Sequence, residues 1–197
     1  MVDEIKEIFQ KLDDAAFSDD KRLEKALENA KKNDQFRKIN YGKYEALLCG
    51  DHNGEEINLQ FLRDLKKDLA NKGITCRIGE DYLKKAKGVR EQEIRESYLK
   101  DADIIVLING YGPGTLDESN QIRRENELKK KTMAFFRYTS YQELENIPDL
   151  QDFRTEFKYP IPYREIEELK AKIKFGVKHM ILYLLNKEII KSKGGDQ

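Results

Sequence analysis

Ile104 to Ile108 is an unbroken apolar run, β-branched at every position except Leu107. A strand with one wet face alternates apolar with polar residues, so a continuous run of this kind favours a strand covered on both sides. Asn109 follows, and then Gly110, Tyr111, Gly112, Pro113 and Gly114. Closely spaced glycines let the backbone turn tightly and let a ligand approach it. Thr115 and Glu118 stand at the spacing of a capping box, so a helix is expected from about Leu116. A doubly covered strand opening into a glycine loop and a helix is the core unit of a parallel α/β sheet.

The rest of the central region repeats that unit. Ala46 to Cys49 is a short apolar run ending in the turn-rich loop Gly50-Asp-His-Asn-Gly54. Ile57, Phe61, Leu65 and Leu69 mark a helix that Asn71 to Gly73 closes. Ile74 to Ile78 alternates, which places this second strand at an edge. A helix bearing Ile94, Tyr98 and Leu99 precedes the Ile104–Ile108 strand, and Thr132 to Phe136 reads as a fourth strand. The edge-like second strand and the apolar first and third strands order the sheet 2-1-3-4, with a possible fifth strand beyond. That is a three-layer, flavodoxin-like arrangement. In such sheets the ligand crevice lies at the carboxyl ends of strands 1 and 3, where both Gly50–Gly54 and Asn109–Gly114 fall.

Two flanking pieces complete the organisation. Residues 1–42 read as an N-terminal helical extension, with Val2, Ile5, Ile8, Phe9 and Leu12 on one helix and Leu23, Ala26, Leu27 and Ala30 on another. Residues 43–197 form the α/β domain, ending in a long helix over about 163–191 with Ile166, Leu169, Ile173, Val177, Met180 and Leu184 in a stripe. Met180 to Leu185 is apolar nearly all round, so this helix must be covered on more than one side, by its own core or by a second copy in a homodimer. Between Tyr141 and Leu150 a short helix is expected, and Phe153 to Ile161 is aromatic-rich.

Charged residues make up 38% of the chain in equal numbers of both signs. No global positive field draws in phosphate, which argues against nucleic acid as a partner. Cys49 and Cys76 read as small buried thiols in a reducing cytoplasm. His52 and His179 have no neighbours at ligand spacing, so no metal is expected. The first residues carry no signal-peptide pattern and no run is long enough to span a membrane, so a soluble cytoplasmic protein without a membrane partner is expected.

Ala46-Leu-Leu-Cys-Gly50, Ala102-Asp-Ile-Ile-Val-Leu107 and Gly114-Thr-Leu-Asp-Glu118 together resemble the core of the nucleoside 2-deoxyribosyltransferase family and its nucleotide N-glycosidase relatives. The same central stretch, about residues 44–137, is similar in rhythm to a TIR domain. The resemblance implies a small-molecule nucleotide or nucleoside, NAD included, as ligand, with no resident cofactor. It also implies that the glutamate after the Gly-Thr pair, here Glu118, attacks the sugar. The chain departs from both groups. Ser119-Asn-Gln-Ile122 replaces the transferases' small-residue run, and the TIR serine loop with its tryptophan is absent.

Two roles are open to Glu118. As a carboxylate beneath an anomeric carbon it would stabilise or bond to the sugar as the base departs. As the fourth residue of Thr115-Leu-Asp-Glu118 it would only reach back to the Thr115 amide. Asp51 and Asp81 are the candidates for the second acid, and Asp51 or Glu55 for orienting the ribose or passing a proton to the leaving base. Gly50, His52, Asn53, Gly54, Asn109, Gly110, Gly112, Gly114 and Thr115 are expected to line the ligand, with Tyr82 or Tyr111 stacking on its base. Arg90 and Arg95 are expected to pair with Glu91, Glu93 or Glu96, and Arg123 and Arg124 to form a solvated face. The reading is thus nucleotide binding with N-glycosidic cleavage; its alternatives are a non-catalytic nucleotide sensor and a TIR-like protein-interaction module.

Overall fold

The computed structural model describes residues 40–83, 90–109, 115–137, 157 and 160–193. The expected helical pair before residue 40, the loop residues Gly110 to Gly114 and the expected short helix over 141–150 lie outside the described residues. After a single turn at Tyr41–Lys43 the elements are β1 (Glu45–Cys49), α1 (Leu59–Ala70), β2 (Thr75–Ile78), α2 (Gly79–Leu83), α3 (Glu91–Asp101), β3 (Ile104–Ile108), α4 (Leu116–Arg124), α5 (Asn126–Lys130), β4 (Thr132–Arg137), β5 (Pro160–Tyr163) and α6 (Ile166–Lys193). The five strands pair in the order β2-β1-β3-β4-β5, all parallel. This is the flavodoxin-like topology, and its switch point falls between β1 and β3.

Alternate strand residues divide between two cores. Ala46, Leu48, Ile104, Val106 and Ile108 face α1 and α6, joining Leu62, Leu65, Leu69, Ile173 and Val177. Leu47, Cys49, Ile105 and Leu107 face the other way, towards Tyr98 and Leu99 of α3, Ile122 of α4 and Leu128 of α5. Every residue of β3 is buried, as a strand covered on both sides requires. In β2, Thr75 is exposed and Cys76 and Ile78 are buried, which suits its edge position.

Local chemistry sets the helix boundaries. The Asn58 side chain caps α1 by accepting from the Phe61 amide at 3.0 Å, so α1 starts after Ile57 rather than at it. β5 carries Pro160 and Pro162, an arrangement confined to sheet edges because proline has no N–H to donate. Two residues apart, both missing donors can lie on the outer side; the Pro162 carbonyl accepts there from Lys172 Nζ at 2.6 Å. In α6, Leu169, Ile173, Val177, Met180 and Ile181 are buried, and the half-buried Tyr183, Leu184 and Leu185 pack on the same core. The apolar helix is therefore seated on the chain's own sheet. No described helix is long and apolar enough to cross a membrane.

Candidate functional site

The carboxyl edge of the sheet is organised by Asn109, the first residue after β3. Its backbone is left-handed, with φ 48°, a conformation that asparagine tolerates better than most residues. Its amide donates to Phe135 O at 2.8 Å, and its side-chain Oδ1 accepts from the Arg137 amide at 3.1 Å and the Tyr163 hydroxyl at 3.0 Å. Its carbonyl accepts from the Thr115 hydroxyl at 2.9 Å. Asn109 and Thr115, expected to line the ligand, here tie β3 to β4, β5 and the start of α4. Thr115 makes no side-chain cap bond, so the anticipated capping box is not formed.

Glu118 consequently turns elsewhere. Its Oε1 accepts from the Tyr98 hydroxyl of α3 at 2.8 Å, and its Oε2 is buried with no hydrogen-bond partner. The residue is only 9% exposed. Burial pushes its pKa up to about 6; the Tyr98 hydrogen bond and the Arg95 charge oppose that rise and Asp117 adds to it. The same burial raises the Cys49 thiol well above its ordinary value, and the Glu118 charge raises it further. Tyr98 is likewise pushed up, by burial first and then by Glu118, so it stays a hydrogen-bond donor. A helical side chain leans towards its own helix N-terminus, and α3 starts at the carboxyl edge, so Tyr98 reaches up to the level of Cys49.

Gly79, first residue of α2, borders this pair: a methyl group there would lie 3.6 Å from Tyr98 Oη and 3.8 Å from Glu118 Oε1. Arg95 pairs with Asp117 at 3.0 Å, on the neighbouring helix rather than with a glutamate of its own. Arg123 departs from the solvated face expected of it, because its Nε is buried and unpartnered, as is Ser119 Oγ.

The loop after β1 is built mainly by its own turns. Asp51 Oδ1 accepts from the Asn53 amide at 3.0 Å, the His52 carbonyl accepts from the Leu59 amide at 3.2 Å, and Asn53 bridges to Asn58. Gly54 is required by packing, since a Cβ there would stand 2.4 Å from Ile57 O. Gly50 lies against Leu62 of α1. Tyr82 is drawn away from the crevice: its hydroxyl donates to Glu45 at the opposite end of β1, and its ring packs on Tyr98 with centroids 5.1 Å apart. A stacking role for Tyr82 does not fit that placement. Among the described residues no cluster could hold a metal ion.

No protein-family model matches the chain, and no curated protein does. The site is defined by its geometry. That geometry brings Glu118 to the carboxyl ends of β1 and β2 with Tyr98, Cys49 and Gly79, three residues that sequence patterns left in the core or in loops. Periodicity marks Tyr98 as buried but carries no sign of what its hydroxyl meets. A phenol at an interior helical position is the one available signal, since buried hydroxyls take partners.

Proposed function

We propose that the protein binds a nucleotide or nucleoside at the β1/β3 crevice and cleaves its N-glycosidic bond, with Glu118 as the acting carboxylate. The observation that carries this reading is Glu118 Oε2, buried beside the switch point without a hydrogen-bond partner. A buried acceptor left unpaired costs about 1–3 kcal/mol, and more when charged. A helix cap would have avoided that cost. Perturbed carboxyls in such positions concentrate at functional sites.

Cleavage breaks the bond between the anomeric carbon and the base nitrogen, whose electron pair leaves with the base. Glu118, ionised above its pKa of about 6, meets the positive charge that develops on the carbon and forms an ester through Oε2. Water then attacks that carbon, breaks the ester and restores the carboxylate. Tyr98 holds Oε1, which leaves Oε2 to react. Asp51, in the loop across the switch point, would orient the ribose hydroxyls or pass a proton to the departing base. The resemblance to deoxyribosyltransferases and TIR domains points to the same glutamate and the same bond.

Incubating the purified protein with NAD, nucleosides and nucleoside monophosphates, and assaying free base by chromatography, tests the reading. Base release by the wild type that disappears in Glu118→Gln supports it. Equal release by both sinks the assignment of Glu118. Thermal stabilisation by one of these compounds without base release replaces the enzyme with a nucleotide sensor.

A further inference from the structure

Arg137 is the last residue of β4, and Glu56 lies in the loop after β1. Strand β3 stands between β1 and β4 in the sheet, so a contact between these two residues crosses the carboxyl end of β3. Neighbouring strands lie about 4.8 Å apart, a crossing that two long side chains can span. They do meet. Arg137 Nη1 bonds to Glu56 Oε2, and Arg137 Nη2 donates to Glu56 Oε1 at 3.4 Å, so the guanidinium fork holds both carboxylate oxygens.

Neither partner needs the other for its placement. Arg137 is held by its amide on Asn109 Oδ1 at 3.1 Å and by its Nε on the Arg164 carbonyl at 3.3 Å. The loop carrying Glu56 is held by its own bonds, among them Asp51 Oδ1 to the Asn53 amide and the Glu55 carbonyl to Asn58 Nδ2 at 3.3 Å. The side chains of Arg137 and Glu56 are 36% and 47% exposed, so solvent reaches the fork and the ion pair contributes little to stability. A guanidinium fork takes a carboxylate and a phosphate in the same two-pronged geometry. Glu56 thus stands where two oxygens of a phosphate would stand.

We propose that Arg137 binds the phosphate of a phosphomonoester ligand at the carboxyl edge of the sheet, and that Glu56 occupies its fork until that phosphate displaces it. The site therefore takes a nucleoside monophosphate in preference to the nucleoside, a clause that rests on the nucleotide reading above. The phosphate claim itself requires neither base nor sugar.

Phosphorus NMR of inorganic phosphate, titrated with the purified protein at constant ionic strength, tests that claim. Wild type shifts and broadens the phosphate line saturably. Glu56→Gln leaves the fork open and tightens the apparent Kd about fivefold, the exchange expected of a weak exposed ion pair. Arg137→Gln abolishes binding, and Arg137→Lys, which keeps the charge but not the fork, weakens it. Absence of saturable binding in both wild type and Glu56→Gln overturns the inference. So does binding that Arg137→Gln retains, or that Glu56→Gln leaves unchanged or weaker. Glu56→Gln keeps the shape of an exposed side chain, so its comparison with wild type stands even where Arg137→Gln fails to fold. The same proteins are then given a nucleoside and its monophosphate. Tighter binding of the monophosphate, with the preference lost in Arg137→Gln, supports both readings. Phosphate held by Arg137 with no gain from an attached nucleoside keeps the anion site and removes the nucleotide reading. Base release at equal rates from nucleoside and monophosphate, in wild type and Arg137→Gln alike, keeps the nucleotide reading and overturns this one.

Discussion

The two faces of the sheet are built from alternate residues of the same strands, yet they are used differently. On the α1/α6 side, Leu62, Leu65, Leu69, Ile173 and Val177 are at most 1% exposed and form an apolar layer. On the α3/α4 side the layer admits Tyr98, Glu118 and Ser119, and three of the four buried side-chain atoms lacking a partner among the described residues belong to α4. One face converts burial into stability at about 25 cal/mol per Å² of apolar surface. The other gives up stability to keep a carboxyl dry and half satisfied, the pattern expected where function competes with folding. The difference begins with a single helix start. Thr115 bonds to Asn109 instead of capping, and Glu118 is released inward.

The largest expected effect separates the faces by activity. Glu118→Gln should lower base release by on the order of 10⁴–10⁶-fold, the range for loss of a nucleophile and the groups that act with it, measured against the substrate panel above. Leu62→Ala, on the apolar face, should instead cost about 2–5 kcal/mol in urea unfolding while leaving the Glu118 titration in place. A shifted titration in Leu62→Ala would show that the two faces are coupled through the strands.

The next effect concerns the sign of the carboxyl's own contribution. Glu118 titrates near 6 in the folded protein against an ordinary value of 4.5. Between those values the folded state holds a proton that the unfolded state has lost, so the penalty grows as pH rises from 4.5 to 6 and is complete above 6. Glu118→Gln should therefore raise stability by on the order of 1–2 kcal/mol at pH 7.5, with the gain fading towards pH 4.5. A glutamate serving only as a helix cap would show no such pH-dependent gain, since glutamine caps as well.

Smaller effects probe the surroundings. Tyr98→Phe removes the hydrogen bond that favours the ionised carboxyl, so the Glu118 pKa should rise further, read by carbon NMR of labelled glutamate. No change would mean that the hydroxyl does not hold Oε1 in solution. Asp117→Asn removes a neighbouring negative charge and should lower the Glu118 pKa slightly. Its exposed pair with Arg95 should cost no more than about 1 kcal/mol, visible as a small change in Tm.

The sheet is legible in the amino-acid pattern. Ile104–Ile108 is apolar throughout and Ile74–Ile78 alternates, and these patterns record how many faces of each strand are covered. Burial of that kind is a local property, so it set the strand order, the switch point and the position of Glu118 at its edge. β5 was harder to see, because two prolines in four residues suppress a strand signal that only an edge position rescues. Where side chains of the right type meet is set by packing between elements. Nothing in the spacing of Thr115 and Glu118 distinguishes a capping box from a carboxyl turned towards Tyr98 of the preceding helix. Nothing near Tyr82 indicates that Glu45 takes its hydroxyl, and the chain around Asn109 does not reveal that its amide ties three strands together. Such choices depend on distances between elements far apart in sequence, which exist only once the helices are packed.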